Sequence, residues 1–437
     1  MMIRSAAILT AGLLALTGCT RELILEGERL DPRAPFGETS RAVAENRVAP
    51  ISLPAPANLA DWTHRLAAPS GAPAHVALGA APAPVWSVRI GQGENRRHRI
   101  TADPVVGGGR VFAMDAQATV TGVDAATGAV AWQRDLTPAW GRRGSASGGG
   151  LALAGGRLIV TTAFGEILAL DAATGATVWS HRVDAPVTAA PSVIGDRVYA
   201  VAADSSGWAL DLATGRVAWQ LGALPSPSGM VGGARPAGAG RLVILPYPTG
   251  DVVAVDPASG NAAWSSRVSG SRPGVAYAGV RDITGDPVVV GNTVFVANQS
   301  GRVAAFDAGS GVTRWTAREG AYSPVWPVGG SLFLISDAGE LVRLDAATGA
   351  RIWGAELPHY TRDRERRRAE VFAHYGPVVA GGRVLVLSND GRMRSFDPAS
   401  GDLLSDVALP RGATTNPAVV GGTLFVVTTD GTLHALR

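Results

Sequence analysis

From about residue 84 onward, short apolar runs recur at close intervals, separated by glycine-bearing turn pairs. Arg197-Val198-Tyr199-Ala200-Val201 and Gly382-Arg383-Val384-Leu385-Val386-Leu387 are typical runs. They have the five- or six-residue length and β-branched content of buried strands and are too short for core helices. Others alternate, as in Leu341-Val342-Arg343-Leu344, so one face is buried and the other is not. Pairs such as Ser300-Gly301, Asp390-Gly391 and Asp430-Gly431 supply the positive φ that tight hairpins need. The pattern predicts an all-β chain of short antiparallel strands.

The strands belong to a repeat. Val123-Asp124-Ala125-Ala126-Thr127-Gly128, with Trp132 four residues on, returns around Asp171, Asp211, Asp256, Asp307 and Asp345, with Trp179, Trp219, Trp264, Trp315 and Trp353. A seventh copy at Asp397 to Gly401 has Ser405 in the tryptophan position. Upstream openings such as Pro287-Val288-Val289-Val290-Gly291 and Pro417-Ala418-Val419-Val420-Gly421 mark eight units, the last without a closing motif. Ala83 to Ile90 has the tryptophan, Trp86, and the alternation of a closing strand but no opening. Residues 86–437 divide into eight parts of about 44 residues, the length of a four-stranded propeller blade. The predicted fold is an eight-bladed β-propeller of four-stranded antiparallel blades, in which an N-terminal strand joins the last blade and closes the ring. A stacked β-solenoid would not need the split unit. In the motif, Asp and Thr accept turn N–H groups, Gly takes the left-handed position, and Trp on the outer strand fills the wedge between blades.

The N-terminal part reads differently. Arg4 followed by the apolar run Ala6 to Leu16 has the form of a secretory leader, and Leu16-Thr17-Gly18-Cys19 resembles the bacterial lipobox. The expectation is a signal peptide over residues 1–18 and acylation of Cys19, whose several acyl chains would give durable anchoring. Residues 19–83, rich in Pro, Ala, Arg and Glu, read as a spacer, with Trp62 able to dock on the body; the propeller is expected over 84–437.

Composition narrows the chemistry. Hydrophobic residues make up 46% of the 437 and charged residues 17%, with 56 Gly and 28 Pro, so a large turn-rich core is expected. The 39 basic residues, all arginine, nearly balance 36 acidic ones, which argues against nucleic-acid binding. One cysteine excludes an internal disulfide, a CxxC pair and a cysteine zinc cluster. The seven histidines show no metal-pair spacing, and no structural metal or cofactor is expected. Gly144 to Gly150 lacks the lysine and helix of a phosphate loop and reads as an inter-blade loop. His359 to Tyr375, carrying Arg362, Arg364, Arg366, Arg367 and Arg368 among acidic residues, reads as a solvated helical excursion, with lipid headgroups or an acidic partner as alternatives.

The unit Ala-x-Asp-x-x-Thr-Gly-x-x-x-Trp, as at Ala169 to Trp179 and Ala209 to Trp219, resembles the repeat of pyrroloquinoline-quinone (PQQ) dehydrogenases and their non-enzymatic relatives. The dehydrogenases usually carry longer chains, vicinal cysteines and a calcium site. Lipobox, one eight-bladed propeller and this repeat together resemble the BamB family. That resemblance implies a non-catalytic scaffold lipoprotein of the β-barrel assembly machinery, held by lipid on the outer membrane and facing the periplasm. Its implied partner is the BamA-type barrel subunit, met through POTRA domains, with nascent outer-membrane proteins as a further contact. The family's partner loops open blades four and five. Ser228, Met230 and Val231 stand here where the family has Leu-x-Leu-Arg, and Asp282 and Thr284 stand where it has Asp-x-Asp. Two other readings remain open: a PQQ- and calcium-dependent oxidoreductase, and a propeller that binds a glycan in its central funnel.

Overall fold

The structure, a computed structural model, describes residues 45–71, 75–222, 226, 231–268, 270, 280–362 and 364–437. Its strands form eight four-stranded antiparallel sheets, the predicted propeller. Blades one to seven span residues 105–135, 149–182, 192–222, 237–267, 283–317, 326–356 and 374–408, each running from inner to outer strand. Blade eight takes its three inner strands from residues 418–436 and its outer strand from Pro84–Arg89, with Trp86 opposite Ala435. The ring is thereby closed by its own first strand. Inner strands are as short as three residues, as in Ser192–Ile194, because eight of them converge on the axis.

At seven of the eight junctions, each blade is fastened to the next by one tryptophan. The indole N–H groups of Trp86, Trp132, Trp179, Trp219, Trp264, Trp315 and Trp353 donate to the carbonyls of Ala125, Ala172, Leu212, Pro257, Ala308, Ala346 and Pro398, all at 3.0–3.3 Å. Every one of these carbonyls lies one residue after the motif aspartate of the following blade. The indole ring also covers that blade's motif glycine. At Gly215, whose φ is +70°, a Cβ would stand 2.6 Å from the ring of Trp179. Glycine is needed there twice, for its left-handed backbone and for the space. The aspartate holds the turn: Asp211 Oδ1 accepts the Thr214 N–H at 2.8 Å and the Thr214 hydroxyl at 2.6 Å, which keeps the Asp211 carboxyl below its usual range. Ser405 now makes sense. It faces blade eight, which has no motif turn to receive an indole, and its hydroxyl pairs with that of Ser395 at 2.5 Å.

The stretch read as a spacer is shorter than the sequence suggests, because from Glu45 onward it packs on the propeller. It meets all eight blades, mostly at the axial ends of the inner strands. Trp62 exchanges two backbone bonds with Val106 of blade one, and its ring stacks on Trp326 of blade six at 6.5 Å. Leu153, Gly238, Val289 and Gly421 donate their N–H groups to Thr63, Pro69, Ser70 and Leu59, and Val76 pairs with Val379 and Gly381. Val193 donates to His64 Nε2. These inner strands end with orphan N–H groups facing the channel, and the segment satisfies them. Residues 45–71 and 75–83 therefore stopper one end of the axial channel. The Arg-rich excursion differs as well: its described residues contain a single 3-10 turn, Glu365–Arg367, and no α-helix.

Trp219→Ala should lower stability by about 3 to 5 kcal/mol, the range for a buried tryptophan, and Gly215→Ala should also destabilise. Ser405→Ala, at the wedge without an indole, should stay within about 1 kcal/mol. Urea unfolding followed by circular dichroism measures all three.

Candidate functional site: a cup at the open end of the channel

With one end stoppered, the channel becomes a cup of about 580 Å³ opening on the opposite face, where the loops between blades emerge. Arg65, carried by the stopper, reaches its floor. Arg65 Nε donates to Asp103 at 2.6 Å and Nη1 to Asp286 at 3.3 Å. Asp286 is shared with the fully buried Arg235, whose Nε lies 3.2 Å from Oδ2 and whose backbone N–H donates to Oδ1. Arg235 also donates to the carbonyls of Ala68, Pro69 and Pro236 and to the Ser192 hydroxyl. Asp103 accepts both the backbone and the side-chain N–H of Asn416. Two arginines and two aspartates thus close a neutral network linking stopper, blades and inter-blade loops. Burial raises the Asp103 carboxyl, opposed by Arg65. For Arg65 burial pulls the other way, and Asp286 and Asp103 outweigh it, so its pKa rises.

His64 lies beneath this network and is 2% exposed. Its Nε2 accepts the Val193 N–H at 3.0 Å, so the proton belongs on Nδ1, which faces the Thr63 hydroxyl at 2.9 Å. Burial, with Arg235 adding to it, lowers its pKa to about 3. A second proton would put an N–H against the N–H of Val193.

The cup wall is mixed. Tyr322, Phe372 and Tyr375 alternate with Thr101, Ser336 and Asn389. His374 also faces the cup but is engaged at both nitrogens, Nδ1 by Ser388 Oγ at 2.6 Å and Nε2 by the Pro358 carbonyl at 2.9 Å, and burial lowers its pKa to about 4. Among the described residues, no three His, Cys, Asp or Glu converge as metal ligands. No helix among them is long and apolar enough to cross a membrane.

Of the residues singled out in the sequence, Cys19, Ser228 and Met230 lie outside those described. Val231 is exposed and stands where the cup meets a neighbouring cavity of about 400 Å³. Asp282 lines that smaller cavity and is 3% exposed; Thr284 is also buried and donates its hydroxyl to Ala321 at 2.6 Å. The structure thus brings Val231, Asp282 and Thr284 into one region but turns the last two inward. Arg65, Arg235 and Asp286 were missed in the sequence. The aspartate two residues after Thr284 and the lone arginine before Pro236 were the available signals.

Residues 116–355 and 361–437 match the model of the family described as "Outer membrane protein assembly factor BamB". The chain belongs to this family. Its relatives include a BamB of Moranella endobia (strain PCIT), 25% identical over 248 residues, a match covering 55% of this chain and 64% of that protein's length. Among solved structures it resembles BamB from Moraxella catarrhalis, with a TM-score of 0.67 at 22% identity over 82% of this chain and all of that one. The quinohemoprotein alcohol dehydrogenase of Comamonas testosteroni gives 0.66 at 16% identity, over 87% of this chain and 81% of that one. Both structural likenesses concern the propeller fold alone.

Arg235→Met should destabilise by about 3 to 5 kcal/mol, because Arg65 alone would then face two buried carboxylates, Asp103 and Asp286. Histidines held neutral give stability that is lost as pH falls, since the unfolded chain takes up protons near 6.5 while folded His64 and His374 resist until about 3 and about 4. Melting temperature should therefore fall from pH 6.5 to pH 4, and the slope should be shallower in His64→Gln. Calorimetry across that window checks the sign.

Proposed function

We propose that the protein is a non-catalytic scaffold of the outer-membrane β-barrel assembly machinery, docking on the periplasmic POTRA domains of the barrel-forming subunit. The observation that carries this reading is the family match through most of the propeller. The relatives are named outer membrane protein assembly factors. In this reading residues 1–18 are removed, Cys19 is acylated, and the propeller hangs in the periplasm from its lipid. Rigid blades holding exposed inter-blade loops suit the recognition of a second domain.

A quinoprotein oxidoreductase has one observation in its favour, the likeness to alcohol dehydrogenase structures. Against it, a chain with one cysteine has no vicinal pair, and among the described residues no three His, Cys, Asp or Glu come together.

Because Asp282 and Thr284 face inward, the contact is assigned to the surface around them, with Val231 and Arg281 as its exposed members. A photoreactive residue at Val231 or Arg281 in intact cells should crosslink to the barrel-forming subunit. If neither position does so while the protein is anchored and folded, the scaffold reading fails. Stoichiometric PQQ uptake with alcohol-dependent dye reduction would replace it with the enzyme.

A further inference from the structure

The two faces of the ring differ in charge. On the stoppered face the motif carboxylates are occupied in their own turns, as at Asp124, Asp171 and Asp256. Arg110, Arg157 and Arg197 on that face donate to carbonyls of neighbouring blades. The cup face is different. Loops entering six of the eight blades each present an exposed arginine: Arg97, Arg142, Arg281, Arg318, Arg367 and Arg411. Several of these have arginine neighbours that are also exposed. In the described parts of the eight inter-blade loops the exposed carboxylates are Asp184 and Glu370; Asp103, Asp282 and Glu319 are buried, Glu94 is half-buried beside Arg99, and Asp135, at the end of its strand, lies 3.6 Å from Arg143.

Aromatic and apolar side chains stand among these arginines. Trp140 is 52% exposed, with Arg182 over its ring at 4.3 Å, and Tyr322 is 43% exposed. Val231 and Val371 are 58% and 53% exposed. Exposed tryptophan, tyrosine and arginine around a concavity form the composition of an energetic hot spot at a protein interface.

We propose that the cup face is a docking surface for an acidic protein surface, whose carboxylates meet the arginine rim while a protruding segment enters the cup. Charge complementarity sets the sign of the partner. The concavity decides between a protein and a lipid layer: a flat headgroup surface would touch only the rim, whereas a protein protrusion fills about 580 Å³ and reaches Tyr322. The identity of the partner rests on the scaffold reading above; the charge of the face does not.

The test uses the full-length lipoprotein in detergent, with three probes in solution: a fluorescent glutamate-rich peptide, the purified periplasmic region of the barrel-forming subunit, and vesicles of phosphatidylcholine with phosphatidylglycerol. The variants are R142E/R143E, R366E/R367E and Y322A, with R216E on the opposite face as control. Wild type should bind the acidic peptide and the subunit, each about tenfold more weakly in either double reversal, and more weakly as salt rises from about 50 to about 300 mM. R216E should bind like wild type. Y322A should weaken the folded subunit. Subunit binding that ignores both reversals overturns the inference and leaves the scaffold reading intact. Charge-dependent peptide binding without subunit binding supports the inference and removes the scaffold reading. Charge-dependent binding of the vesicles alone overturns the inference in favour of a membrane surface.

Discussion

The wedges between blades must be filled, and at seven of the eight one repeated contact fills them: an indole laid over a left-handed glycine and bonded to the adjacent carbonyl. Four-stranded blades fanning from an axis separate as they go outward, so the gap is widest where the outer strand lies. A smaller side chain would leave a void there with no atoms to contact. Glycine lets the ring approach, aspartate and threonine fix the turn that presents it, and the indole N–H donates to the carbonyl one residue after the aspartate. Each element of the repeat motif therefore serves the junction with the neighbouring blade as much as its own.

The axis poses the opposite problem. There the strands crowd and their ends bring polar backbone to a narrow channel. An N-terminal segment without regular structure solves this by pairing with those ends in turn. It carries Arg65 into a network with Asp103, Asp286 and Arg235. Buried ions are a weak source of net stability but a strong determinant of arrangement, because any misplacement leaves a charge unpaired. The result is a propeller with one sealed face and one open one, so the two faces are free to diverge in charge and role.

The ring was legible in the sequence because its contacts are local and periodic. Trp, Asp and Gly recur at constant spacing, and even the strand that closes the ring could be placed from Trp86 and the missing eighth motif. The stopper was not legible beyond Trp62. Many of its bonds to the blades run through backbone groups, which leave no mark on residue type, and its Pro- and Ala-rich composition is that of a linker. Nor was the floor of the cup: Arg235 and Asp286 are 51 positions apart, and although Asp103, Arg235, Asp286 and Asn416 each stand just before the proline that opens a blade, the repeat carries no sign that these four side chains meet. For the same reason the aspartate and threonine of the fifth blade's opening could be located along the chain, but not their inward orientation.

Ring closure through Pro84–Arg89 also sets an order of events. Trp86 must find Ala435, across nearly the whole propeller sequence. Loop closure of that size adds little to the equilibrium cost, since the entropy grows only with the logarithm of length. Kinetically it is another matter, because such distant pairings form late. Until the first strand meets the last blade, one sheet lacks its outer strand, and the first blade's motif glycine, Gly128, waits without its indole. A chain synthesised amino end first would spend that whole interval as an open arc with two unsatisfied ends, the period in which it is most exposed to mispairing.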